Sequence, residues 1–128
     1  MNLNTVVLLS GGMDSAACAH HLQTSGHHVH GVFVDYGQRA AVPEQRAAEQ
    51  LSSGLGIELS VVQVKTQQSF GTGENAGRNA FLVFCALLNF GHQRMDAIAL
   101  GIHAGTTYYD CSRAFLACRY ELFDRITA

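Results

Sequence analysis

Long apolar runs, paired cysteines and an excess of positive charge are all missing from this 128-residue chain, which has a single proline and, at Lys65, a single lysine. Each absence removes a class of function. Ten acidic residues against eight basic ones leave a formal charge of −2, so the chain has no broad electrostatic footprint for nucleic acid or an anionic membrane surface. Its apolar stretches are far too short to span a bilayer. Met1 is followed almost at once by the apolar run from Val6 to Leu9, without a basic n-region or a small-residue cleavage site. That pattern lacks a signal peptide and points to the cytoplasm. Cys18, Cys85, Cys111 and Cys118 are scattered and form no CxxC pair, which argues against a zinc knuckle or a redox motif. Cys18 and Cys85 stand among apolar neighbours and read as small core residues.

What is present suits one compact, soluble domain spanning residues 1–128. Hydrophobic residues make up 48% of the chain, enough for a single core at this length. The run TVVLL (5–9) is continuous and β-branched, the mark of a strand covered on both faces. Residues 14–25 read as a helix with Ala17, Cys18, His21 and Leu22 at helical spacing. A second buried strand (29–35), a helix framed by Pro43 and the glycines at 54 and 56 (40–56), and a third strand (57–64) follow. Residues 65–77 form a polar, glycine-containing loop. From Arg78 a strongly apolar helix runs to Gly91, with Phe81, Leu82, Phe84 and Leu88 as core candidates. A fourth strand (95–103), a loop and a last helix (111–126) complete the chain. Strands alternating with helices imply an α/β doubly wound parallel sheet of about four strands with helices on both faces. A ligand site in such a sheet lies beyond the carboxyl ends of the strands, which directs attention to the loops 10–15, 35–39, 65–79 and 101–110.

The first of these loops is SGGMDS (10–15). Two glycines after a buried strand let the backbone turn tightly and aim several N–H groups at one point, and the following helix adds its unpaired amides and positive dipole end. Ser10 and Ser15 can supply hydroxyl donors. Asp14 is ill placed for a bare phosphate but well placed to hold Mg²⁺ bridging to one. A Walker A loop would need Gly-Lys-Ser/Thr, and the only lysine is elsewhere; the G-x-G-x-x-G dinucleotide spacing does not occur. The plain alternative is a tight βα turn in which Asp14 or Ser15 caps the helix.

SGGMDS after a hydrophobic strand resembles the S-G-G-x-D-S motif of the PP-loop ATP pyrophosphatases. With DYGQR (35–39), GRN (77–79), GIHAG (101–105) and YYDC (108–111) in that order, the chain is most similar to the 7-cyano-7-deazaguanine synthases of queuosine biosynthesis. The resemblance implies a Rossmann-like fold of the adenine nucleotide alpha hydrolase type. It implies cleavage of Mg·ATP to AMP and pyrophosphate to adenylate a carboxylate or amide, with 7-carboxy-7-deazaguanine converted by ammonia to the nitrile. Carried over by position, Ser10, Gly11, Gly12, Met13, Asp14 and Ser15 would hold the pyrophosphate, with Asp14 on Mg²⁺. Asp35, Tyr36, Gln38 and Asn79 would line the substrate pocket, and Tyr109 and Asp110 would grip its purine-like edge. Arg78 would stabilise charge on the α-phosphate. His103 would either act as acid or base or merely cap its loop.

The family's pattern continues beyond Ala128 into a four-cysteine zinc site, so no zinc is expected here. The sheet edge left after the fourth strand is expected to pair with a second copy, giving a homo-oligomer. A nucleotide-binding module that needs a partner chain for turnover is the competing reading. His20 and His21 point in different directions on their helix, His27 sits in the turn, and His28 and His30 share a face at the start of a strand; they read as solvated or packed side chains rather than as metal ligands.

Overall fold

The computed structural model describes residues 3–67, 78–90 and 95–101. Along the chain they form β1 (Asn4–Leu8), α1 (Met13–Thr24), β2 (His28–Asp35), α2 (Ala41–Leu55), β3 (Glu58–Gln63), α3 (Arg78–Phe90) and β4 (Ala97–Leu100). The four strands make one parallel sheet in the order β3-β2-β1-β4. This is the α/β doubly wound arrangement expected from the alternation of apolar runs and helical segments. The expected final helix, 111–126, and the end of the fourth strand beyond 101 lie outside the described residues.

Alternation along the strands distributes the core to both faces. Val7, Leu9, Val29 and Phe33 point to one side, where they meet Ala19 of α1 and Ala48 of α2. Val6, Leu8, Val32 and Val34 point to the other, where Val83, Ala86 and Phe90 of α3 close over them. Because both faces are covered, the central strands β1 and β2 are apolar at nearly every position. At the amino ends of the strands, Asp96 and Asn4 clamp β4 to β1. The Asn4 N–H donates to Asp96 Oδ2 at 2.8 Å and the Asp96 N–H donates to the Asn4 carbonyl at 2.8 Å.

Two helix faces differ from expectation. In α1 the buried stripe is Ser15, Cys18, Ala19 and Leu22, while Ala17 and His21 are exposed. Small residues at 15 and 19 let the helix approach the sheet closely, which a choice made by hydrophobicity overlooks. In α3 the inward stripe is Asn79, Val83, Ala86 and Phe90, with Leu82 packed beside it. Phe81, Phe84 and Leu88 face outward, at 37%, 41% and 83% exposure. Both stripes of α3 are apolar at 3- and 4-residue spacing, so periodicity could not say which one the sheet would take.

The chain order places the helices before β3 on one face and α3, after it, on the other. The direction of winding therefore reverses between β1 and β4, the switch point at which a parallel α/β sheet opens a crevice at the carboxyl ends of its strands.

Candidate functional site

The crevice is built on the loop that leaves β1. Gly11 has φ +80°, and a Cβ there would lie 2.8 Å from Ala47 Cβ and 2.9 Å from the Glu44 carbonyl oxygen. The position thus requires glycine both for its left-handed backbone and for the close seat of the loop on α2. Gly12 is the N-cap of α1, extended and without a side-chain cap hydrogen bond. The cap position itself therefore supplies no side chain, and Ser15 instead bonds the turn from within the first helical turn. The first intrahelical bond runs from the Ala16 N–H to the Gly12 carbonyl at 3.1 Å. The amides of residues 13–15 precede it, at the positive end of the helix dipole.

Ser15 is 3% exposed. Its Oγ donates to the Gly12 carbonyl at 3.1 Å and accepts the Ser10 N–H at 3.3 Å, with Ser10 Oγ 3.5 Å away. Its one hydroxyl proton serves the loop, so Ser15 braces the turn from inside while Ser10, exposed, keeps its hydroxyl at the opening. Gly101, just past β4, closes the other side. A Cβ on Gly101 would stand 2.5 Å from the Asp14 carbonyl carbon and oxygen and 2.6 Å from the Ser15 nitrogen. The end of β4 therefore lies directly against the first turn of α1, and no side chain fits between them.

The walls come from the next two elements. At the end of β2, Asp35 Oδ1 accepts the Gly37 N–H at 3.0 Å, which shapes the turn. Tyr36 turns inward, 6% exposed, with its ring edge-on to Phe81 at 5.7 Å between centroids. Gln38 lies behind it, with its Nε2 reaching Glu44 Oε2 at 3.3 Å. On the opposite wall Arg78 and Asn79 open α3, with the Arg78 Nε buried and Asn79 7% exposed. A cation on the first helical residue faces the positive end of its own helix, an arrangement disfavoured by roughly 0.3–1 kcal/mol on the surface. An anion in the crevice would reverse that sign.

The crevice is lined by Ser10, Ser15, Tyr36, Gln38, Glu44, Arg78, Asn79 and Gly101, over an apolar floor from β1, β2 and β4. Of the residues expected at a site, the structure brings together Ser10, Ser15, Tyr36, Gln38, Arg78 and Asn79. Asp14 lies in the first turn of α1 with its side chain exposed outside that lining, as does Met13 at 89% exposure, and Asp35 is engaged in its turn. His103, Tyr109 and Asp110 lie outside the described residues. Glu44 and Gly101 were not expected. Glu44 reads in the sequence as an ordinary first-turn acid after Pro43, and Gly101 as the end of a strand; only the fold shows what each approaches.

Two histidines at the opposite end of the sheet are each engaged by a neighbour. His27 Nδ1 meets Thr5 Oγ1 at 2.7 Å, and His30 Nε2 meets Ser60 Oγ at 2.8 Å with its Nδ1 3.5 Å from Glu58. Among the described residues no group of three or more His, Cys, Asp or Glu side chains could hold a metal ion. Cys18 and Cys85 are half-buried beside the two core clusters, and burial pushes both thiols up from their ordinary range. Among the described residues no helix is long and apolar enough to cross a membrane.

Comparison with known proteins bears on this crevice directly. A 7-cyano-7-deazaguanine synthase from Methanosphaerula palustris is 28% identical over 151 residues, covering 98% of this chain and 68% of that protein. One from Alcanivorax borkumensis is 35% identical over 133 residues, covering 87% of this chain and 60% of that protein. The chain thus spans 60–68% of the length of these two relatives. A solved structure from Methanocaldococcus jannaschii, described as a predicted subunit of a tRNA methyltransferase, superposes with a TM-score of 0.57 at 18% identity. It covers 93% of this chain and 64% of that one, and shares the fold. The family model described as queuosine biosynthesis protein QueC matches residues 4–76, more than half of the chain and all of the loop between β1 and α1. The chain belongs to the QueC family of queuosine biosynthesis proteins.

Proposed function

We propose that this crevice binds Mg·ATP and cleaves it between the α and β phosphates, adenylating first the carboxylate of 7-carboxy-7-deazaguanine, which ammonia takes to the amide with release of AMP. A second ATP then adenylates the amide oxygen, which leaves with AMP as two N–H protons are lost to give 7-cyano-7-deazaguanine. The observation that carries the proposal is the convergence on one crevice of an uncapped helix start behind a Gly-Gly turn and an arginine set against its own helix dipole. The names of the curated relatives supply the substrate class.

In this reading the amides of residues 11–15 and the Ser10 hydroxyl hold the leaving pyrophosphate. Arg78 sits across the crevice and stabilises the charge that develops as the α-phosphate transfers, a fixed donor that needs no reorganisation. Asp14 is the residue that would hold Mg²⁺. Its carboxylate is exposed beside the loop, and among the described residues no donor takes it up. A single carboxylate suits an ion that takes its other ligands from phosphate oxygens and water. When bound there, the ion supplies neutralisation of the phosphate charge. The apolar floor of the crevice keeps water from the adenylated carboxylate until ammonia arrives.

The deciding experiment separates the products formed from Mg·ATP with and without 7-carboxy-7-deazaguanine and ammonium. AMP and pyrophosphate formed only in the presence of that acid are the expected result. Binding of Mg·ATP without cleavage would instead make the chain a nucleotide-binding module that needs a partner for turnover.

A further inference from the structure

Gln38 and Glu44 stand together at the β2 side of the crevice, and only Glu44 has two acceptor oxygens with capacity left to take a pair of N–H donors from a ligand ring. A glutamine side chain has two N–H donors and one carbonyl oxygen. Gln38 Oε1 accepts the Tyr36 N–H at 2.9 Å, which fixes the orientation of the amide. Its Nε2 then donates to the Val34 carbonyl at 3.1 Å and to Glu44 Oε2 at 3.3 Å. Both donors are engaged within the protein, so Gln38 is a strut that ties the end of β2 to the first turn of α2. Glu44, by contrast, accepts that one bond through one oxygen among the described residues. Glu44 lines the crevice, and its carboxylate keeps acceptor capacity beyond that one bond.

We propose that Glu44 is the specificity-determining residue for the ring of the substrate, accepting two parallel N–H donors from a 2-amino-4-oxopyrimidine edge. The inference rests on the reading given under Proposed function. The carboxylate and Arg78 lie on different walls, so charge alone orients the reactants. Phosphates are repelled from the Glu44 wall and drawn to the wall of Arg78 and the α1 amides. The ring that meets Glu44 must be one that donates. An amino-oxopyrimidine edge offers a ring N–H and an exocyclic N–H side by side, which a carboxylate accepts bidentately. Adenine offers at its corresponding edge one acceptor and one donor, and would leave an oxygen lone pair facing a lone pair. Gln38 acts through Glu44 as a positioning residue, since its Nε2 holds one carboxylate oxygen in place.

The test compares the full chain with its Glu44→Gln variant, in which side-chain size and the Gln38 contact are kept but one acceptor becomes a donor. Binding of 7-carboxy-7-deazaguanine, of its analogue lacking the exocyclic amino group, and of Mg·ATP is measured by calorimetry, with AMP formation followed in the same preparations. The unaltered chain should bind the amino-bearing acid at least about ten-fold more tightly than the analogue. In Glu44→Gln that ratio should fall to near one, with the Mg·ATP affinity changed by less than about two-fold. Circular dichroism and thermal melting confirm that the variant is folded, and Glu44→Asp should restore part of the ratio. A ratio unchanged by Glu44→Gln, a loss confined to Mg·ATP, or an unaltered chain that does not discriminate would each overturn the assignment. Loss of the ratio in a chain that forms no AMP would uphold it while rejecting the adenylating reaction. AMP formation with an unchanged ratio would do the reverse.

Discussion

The two ends of the sheet use polar residues in opposite ways. At the amino ends of the strands, Thr5 meets His27, His30 meets Ser60 and Glu58, and Asn4 meets Asp96, so each polar group is answered by a neighbour in the protein. At the carboxyl ends, glycines bring backbone against backbone, a helix starts without a side-chain cap, and Arg78 stands at the start of α3. The first end is self-sufficient and stabilises the fold. The second is where the crevice opens, and close backbone contacts at Gly11 and Gly101 shape it. Parallel topology produces the asymmetry: every strand ends at the same side, so every strand-to-helix loop and every helix start gathers there.

The contrast can be broken most sharply at Gly101. Gly101→Ala should force the first turn of α1 away from β4, destabilising the protein by about 2–3 kcal/mol in denaturant titrations and abolishing Mg·ATP binding, because a Cβ there meets backbone rather than a flexible side chain. Functional groups come next. Arg78→Ala should lower AMP formation by about 10²–10³-fold, read as AMP released from Mg·ATP in a folded variant. Asp14→Ala should likewise abolish turnover dependent on Mg²⁺ and leave the fold intact, because its side chain is exposed; turnover surviving that change would remove Asp14 from the metal.

The amino end should respond in the reverse sense. Thr5→Val removes the partner of His27 Nδ1 beneath a 2% exposed position and should cost about 1 kcal/mol of stability, with ATP binding unchanged. The smallest effect concerns the thiols. Burial raises the pKa of Cys18 and Cys85 in the folded chain, so the unfolded chain loses those protons first as pH rises. Their contribution to stability is complete below about pH 8.5 and is lost as pH climbs through the higher folded values. Chemical denaturation at pH 8 and pH 10, compared between the native chain and Cys18→Ala/Cys85→Ala, would expose the difference.

Local pattern was enough for much of this protein. Continuous β-branched runs at 5–9 and 29–35 must be buried on both faces, and a Gly-Gly turn between such a strand and a helix must gather amides; neither statement needs a tertiary neighbour. The chain therefore declared its parallel sheet and the position of its Gly-Gly turn from residue order alone. Which stripe of α3 turned inward was not available in that way, because Phe81, Phe84 and Leu88 are spaced as regularly as Asn79, Val83, Ala86 and Phe90. The same holds for Ser15, which reads as a phosphate donor until its hydroxyl is found bracing the loop, and for Gly101, whose need to be glycine comes from a helix turn some 86 positions earlier in the chain. Glu44 joins the crevice through the saturation of Gln38, a count of donors and acceptors across β2 and α2. Periodicity and turn chemistry are properties of neighbouring residues, whereas orientation, close approach and hydrogen-bond occupancy depend on partners distant in sequence, and only packing brings those partners within range.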